Sequence, residues 1–155
     1  MKLALNGALT IGTLDGANIE IMEEVGKDNI FIFGLDTQEV AALKNTGYNP
    51  WNYYHANAEL KLALDMIASG YFSPEQADRF RPIVDKLTHG GDHYLLLADY
   101  EAYIAAQERV EALYRDQQQW IRRAILNVAG MGKFSSDRAI GEYAEKIWGA
   151  KPVLK

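Results

Sequence analysis

Three histidines, a group of carboxylates, one glycine-punctuated turn and an N-terminal lysine carry most of the reactive chemistry in this 155-residue sequence. His89 and His93 are four residues apart, the spacing of two metal ligands on one helix face. Gly90 and Gly91 lie between them and weaken the helix that this spacing requires. No flanking carboxylate completes a ligand set, and His55 stands alone, so all three histidines read as solvated or structural. Glu20, Glu23 and Glu24 share one predicted helix close to Asp15. A carboxylate pair can do acid–base work on a glycosidic bond, but charges grouped on one helix are more simply a solvated face. The segment from Gly12 to Asn18 could present backbone N–H groups to an anion. Its glycine spacing matches neither dinucleotide-binding nor P-loop patterns, and it reads as an ordinary strand-to-helix turn. No serine–histidine–acid set is legible. Lys2, taken by itself, is a solvated amine, and the scattered Tyr and Trp residues read as core and interface.

Composition narrows the classes further. Lys and Arg number 16 against 21 Asp and Glu, a formal net charge of −5, and no dense basic stretch is present. Nothing here argues for nucleic acid or for an anionic membrane surface. The absence of cysteine excludes disulfides, thiol catalysis and Cys-ligated zinc, and fits a reducing compartment. No run approaches the roughly 18 apolar residues of a membrane helix. The apolar start from Met1 to Leu5 is broken by Asn6 and Gly7 before it reaches signal-peptide length. A cytoplasmic location is expected.

The elements that would position these residues follow from periodicity and punctuation. Met1 to Asn6 forms a first segment, with Gly7 where a helix C′ glycine would sit. A buried strand is expected over residues 8–13 and a second over residues 29–34. Between them lies a helix from Ile19 to Val25, capped by Asp15 or Asn18 and ended by Gly26. Strand, helix, strand makes one right-handed βαβ unit.

Beyond Asp36 the pattern is helical: residues 37–45, then Trp51 to Ser69, then a helix opened by Ser73 and Pro74 that runs to about Thr88 with a kink at Pro82. Long helices follow over residues 99–115 and 118–129, ended by Gly130 and Gly132. A last helix from Asp137 to Trp148 is capped by Ser135 or Ser136, and Pro152 closes the chain. The expected class is therefore an α/β fragment, mostly helical, with residues 1–35 as a truncated βαβ segment and 36–155 as a helical region. Two strands do not make a free-standing parallel sheet, so the first part is expected to belong to a larger α/β domain. One strand should show an open apolar edge and promote self-association.

Several stretches, in order, raise a family resemblance. The segment from Met1 to Glu20 resembles the cofactor-lysine segment of the α-glucan phosphorylases, the glycogen and maltodextrin phosphorylases. Similar segments follow at the family's spacing: Asn29 to Gly34, Ser69 to Pro74, Ala98 to Tyr103, Gly132 to Arg138, and Ile147-Trp148. The resemblance runs the length of the chain.

It implies a C-terminal piece of one Rossmann-like lobe of a GT-B glycosyltransferase. Such enzymes transfer the terminal glucosyl unit of glycogen or a maltodextrin to inorganic phosphate, with retention, giving glucose 1-phosphate. The implied cofactor is pyridoxal phosphate, held as a Schiff base, with its 5′-phosphate acting as the proton relay. By its place in the motif, Lys2 corresponds to the cofactor lysine, and no other catalytic residue is carried over.

The family's Thr-Gly-Asn step before the Met-Lys pair, which helps to hold the cofactor phosphate, is absent. So are the remaining strands of that lobe and the whole of the other lobe. The expectation is a chain that by itself neither holds the cofactor nor turns over glucan. The alternative is a free-standing helical interaction module of phosphorylase ancestry without catalysis. A nucleotide-sugar GT-B transferase is a more distant reading, and the cofactor-lysine segment argues against it.

Overall fold

The computed structural model describes residues 1–151, so the expectation at Pro152 lies outside the described residues. The chain is mostly helical with one small parallel sheet. It forms two compact units. Residues Met1–Ile32 and Arg109–Lys155 make the first, and Phe33–Glu108 make the second. The division at residue 35 expected from element types is thus a change of secondary structure. Packing joins the chain's last helices to its first segment.

In the first unit, α1 (Lys2–Leu5) leads to β1 (Ile11–Gly12), α2 (Ala17–Val25) and β2 (Phe31–Ile32). β1 and β2 pair in parallel, Ile11 opposite Phe31 and Gly12 opposite Ile32. Both strands are two residues long, shorter than the apolar runs that predict them, because each has a single ladder partner among the described residues. The expected caps of α2 are not used. Gly16 occupies the N-cap position without a side-chain bond, while Asn18 turns its Nδ2 back to donate to the Thr13 carbonyl at 2.9 Å. An amide side chain that can close the preceding turn competes with its own capping role.

The core of this unit is Ala4, Ile21, Val25, Ile30 and Met131, with Met22, Ile32 and Phe134 packed against it. α8 (Gln117–Gly130) lies against both α1 and α2. Asn127 on α8 is fully buried and donates through Nδ2 to the carbonyls of Asn29 and Arg123, while its Oδ1 has no protein partner. A buried amide left with one open acceptor is the price of stitching α8 to the 3₁₀ turn at Lys27–Asn29. α9 (Ser136–Lys146) closes the unit.

In the second unit, α3 (Thr37–Thr46) falls where a helix over residues 37–45 is expected; it begins with a reciprocal capping box between Asp36 and Glu39 and ends at Gly47. The single helix expected over residues 51–69 is two, α4 (Pro50–Ala56) and α5 (Ala58–Ala68). Asn57 adopts an extended backbone and its Oδ1 accepts from Leu60 N–H at 2.9 Å, so it starts a new helix instead of continuing the old one.

The Ser73-Pro74 start is also not realised. That stretch forms turns and a 3₁₀ turn at Ala77–Arg79, and α6 spans Arg81–Thr88. Pro82 lies in the first turn of α6, where its missing N–H costs nothing, instead of kinking a longer helix. α7 (Leu96–Arg115), which belongs to this unit as far as Glu108, starts three residues earlier than its periodicity suggests. The Asp92 carboxylate accepts from Leu96 and Leu97 N–H and from the Tyr48 hydroxyl. Leu60, Leu64 and Leu97 form the core with Tyr53, Tyr54, Val84, Leu87 and Tyr100 around them.

Gly34 and Asp99 fix the start of this unit. Gly34 has φ +80, and a Cβ there would lie 2.8 Å from the Asp99 carboxyl. Leu35 N–H donates to Asp99 Oδ1 at 2.8 Å, and Phe33 packs edge-on against Tyr103 at 5.2 Å. Burial pushes the Asp99 carboxyl above its ordinary value against the lowering effect of the Leu35 N–H, with smaller upward contributions from Asp92 and Glu39. A raised carboxyl is one whose charge the folded chain disfavours. That charge costs stability at neutral pH, and the cost fades as pH falls through the raised value. Asp99→Asn keeps an acceptor for Leu35 and removes the charge. Its urea midpoint is expected above that of the wild type at neutral pH, with the gap narrowing on acidification. A gap that widens in acid would contradict this assignment.

Candidate functional site

Lys2 sits at the first position of α1, a single turn whose end is a Schellman closure. Gly7 N–H donates to the Ala4 carbonyl and Ala8 N–H to that of Leu3, both at 3.0 Å, and Gly7 takes φ +87, as its expected C′ role demands. Asn6 Nδ2 adds a bond to the Lys2 carbonyl at 2.8 Å. α1 is amphipathic in the simplest way. Ala4 is 2% exposed and joins the core, while Lys2, Leu3 and Leu5 face outward.

Burial of Ala4 brings Lys2 beside the far end of the sequence. Lys2 and Leu5 line a depression of about 430 Å³ together with Met131, Gly132, Phe134, Ser135 and Ser136. Met131–Phe134 form a 3₁₀ turn, Ser135 holds the N-cap position of α9, and Ser136 is the first residue of that helix. Ser135 makes no side-chain cap, contrary to the expectation for Ser135 or Ser136; the helix start is set by backbone geometry. Two bonds hold this corner. Lys133 Nζ pairs with Glu24 at 2.7 Å, which raises the Lys133 amine, and Arg138 Nε donates to the Lys133 carbonyl at 2.6 Å. Lys2 itself forms no ion pair among the described residues.

Of the other candidates, the carboxylates lie on α2 of the first unit and the histidines in the second unit. Glu20, Glu23 and Glu24 are exposed on α2, and Glu24 is engaged by Lys133. His55 stacks on Trp51 at 5.9 Å, and His89 meets the edge of the same indole at 5.3 Å, with its Nδ1 3.0 Å from Thr88 Oγ1. His93 is exposed. No group of three or more His, Cys, Asp or Glu able to hold a metal occurs among the described residues, and no helix there is long and apolar enough to cross a membrane. Sequence reasoning missed the approach of residues 131–136 to Lys2. The signal was available in the resemblance, since Gly132 to Arg138 is one of its segments.

A family model described as carbohydrate phosphorylase matches residues 1–150, and the chain belongs to that family. Among curated relatives, glycogen phosphorylase of Synechocystis sp. is 58% identical over 154 residues. The human brain form of glycogen phosphorylase is 53% identical over 152 residues, and the bovine muscle form 52% over 153. These matches take in 98–99% of this chain and 18% of each relative, so the chain spans less than a fifth of their length.

Pyridoxal phosphate, the cofactor implied by the resemblance, needs an amine, a wall for its ring and fixed donors or cations for its phosphate. The depression supplies the Lys2 amine, Met131 and Phe134 as apolar wall, and two serine hydroxyls. Lys2 is its only charged side chain, and it is solvent-exposed. These residues fit the attachment end of the group and not its phosphate end.

An exposed Lys2 and a buried Ala4 one turn apart separate chemistry from packing. Lys2→Ala is expected to leave the urea midpoint unchanged. Ala4→Val, which overfills the contact with Met131 and Ile21, should lower stability by about 1–3 kcal/mol. A large loss for Lys2→Ala would mean that the lysine is structural.

Proposed function

We propose that this chain is the cofactor-lysine part of an α-glucan phosphorylase, in which Lys2 is the residue that attaches pyridoxal phosphate. The whole enzyme, on this reading, is a cytoplasmic, two-lobed GT-B glycosyltransferase, and this chain contributes a C-terminal piece of one Rossmann-like lobe. Its substrates are glycogen or a maltodextrin and inorganic phosphate, and its product is glucose 1-phosphate. The observation that supports this most directly is the family match over residues 1–150 together with identities above one half to glycogen phosphorylases. Support for Lys2 comes from its place beside residues 131–136, a second segment of the resemblance, rather than on an unrelated surface.

The same reading makes the 155 residues inactive alone. An amine becomes a ready nucleophile toward a carbonyl when burial or a neighbouring cation favours its neutral form. Here it is exposed, and the depression beside it offers no charged side chain besides Lys2 to take up the cofactor phosphate. The protein's part in such chemistry is orientation and electrostatics, and one wall of a depression does not provide them.

Two measurements test this. Incubation of the isolated chain with pyridoxal phosphate, followed by borohydride trapping and mass spectrometry, should label Lys2 no more than the other lysines. Selective stoichiometric labelling of Lys2, or release of glucose 1-phosphate from glycogen, would overturn the claim of inactivity. In a full-length enzyme carrying this sequence, the substitution equivalent to Lys2→Ala should abolish covalent retention of the cofactor; retention by that variant would remove Lys2 from its role.

Self-association is part of the proposal. The short sheet and the outward Leu3, Leu5, Ile121 and Ile125 leave apolar surface on the first unit. Sedimentation should show oligomers growing with concentration, and a clean monomer at high concentration would count against it.

A further inference from the structure

A second depression in the first unit, of about 480 Å³, lies beside β2 and is bounded by the end of α7 and the start of α8. Its lining holds three cations, Lys27, Arg109 and Arg123, and two carboxylates, Asp28 and Asp116. The lining charge is therefore +3 − 2 = +1. None of the three cations is in an ion pair among the described residues, although two carboxylates share the same hollow. Two of the cations lie against β2. Arg109 Nη2 donates to the Ile32 carbonyl at 3.0 Å, and the Arg123 guanidinium lies 6.0 Å from the centre of the buried Phe31 ring. An arginine has five N–H donors in a planar fork. Arg109 spends one on the strand and keeps the rest for another acceptor.

We propose that this depression binds a small phosphate monoester that also carries hydroxyl groups. Anchored guanidinium groups pair with a phosphate dianion through two parallel N–H···O bonds, and a flexible Lys27 adds a point charge. The carboxylates shape what else fits. Asp116 already accepts from Gln119 N–H at 3.1 Å, which fixes its carboxylate at the start of α8. Fixed acceptors at the margin repel a bare oxyanion and accept from hydroxyls, so a phosphate attached to a polyol is favoured over phosphate alone. The depression shares no lining residue with the one at Lys2, so the inference stands apart from the assignment of that lysine.

Titration of the ¹⁵N-labelled chain with glycerol 3-phosphate, inorganic phosphate and glycerol tests this. Glycerol 3-phosphate should produce saturable shifts concentrated in residues 27–31 and 109–123, weakening as salt is added. Inorganic phosphate should bind more weakly, and glycerol should not bind. Arg123→Gln should reduce the affinity for glycerol 3-phosphate by about tenfold or more, the loss expected for a charge-assisted pair. Lys27→Gln, on an exposed turn, should reduce it several-fold and serves as the decisive variant if Arg123→Gln unfolds. The proposal fails if glycerol 3-phosphate gives no saturable shifts, if they map to other residues, or if folded Lys27→Gln and Arg123→Gln chains bind as the wild type does. Equal affinity for inorganic phosphate would overturn the preference for a monoester.

Discussion

The buried methyl of Ala4 is the contact on which the arrangement around Lys2 depends. α1 is a single turn, far too short to be stable as an isolated helix. It exists because Ala4 is small enough to enter the cluster of Ile21, Val25, Ile30 and Met131, and because the Gly7 closure returns the chain toward β1. A one-residue rotation of this turn would drive Leu3 or Leu5 into the space that Ala4 fills and carry Lys2 away from the turn at residues 131–134. The placement of a reactive amine thus reduces to the fit of one methyl group, a reminder that close-packed interiors transmit small volume changes.

The same unit shows how polar groups set register where the apolar core is small. Asn127 is wholly enclosed, yet it bridges α8 to the carbonyl of Asn29 just before β2. Arg109 reaches the Ile32 carbonyl at the other end of that strand. A two-residue strand has too little ladder to define its position, and these two donors hold it from both ends. In the second unit Asp92 plays the corresponding part. Its carboxylate receives two backbone N–H groups and a tyrosyl hydroxyl, and that hydroxyl is pushed well above its ordinary value by burial and by Asp92 itself.

Much of this was legible in the residues. Periodicity located α3, α7 and α8, and the glycines at 7 and 26 marked helix ends. Three of the misreadings share a physical origin. At Asn57, Pro82 and Asn18 a residue with two possible local roles took the one that a neighbouring backbone group decided. Asn57 capped a new helix, Pro82 entered a first turn, and Asn18 closed the turn behind it. Apolar spacing does not register such choices because they turn on a single hydrogen bond. The site was only half readable for a related reason. Lys2 could be named from its segment, but its neighbours lie about 130 positions away, and no local pattern reports which distant segment will fill the space beside a one-turn helix.

The first unit is assembled from the two ends of the described chain, whereas the second is one uninterrupted stretch. The second stretch therefore carries the partners of its own core within itself. In the first, Met131 meets Ile21, Val25 and Ile30 across about 100 intervening positions. A single backbone cut within residues 33–108 would therefore leave the two pieces around Lys2 joined by noncovalent contacts alone.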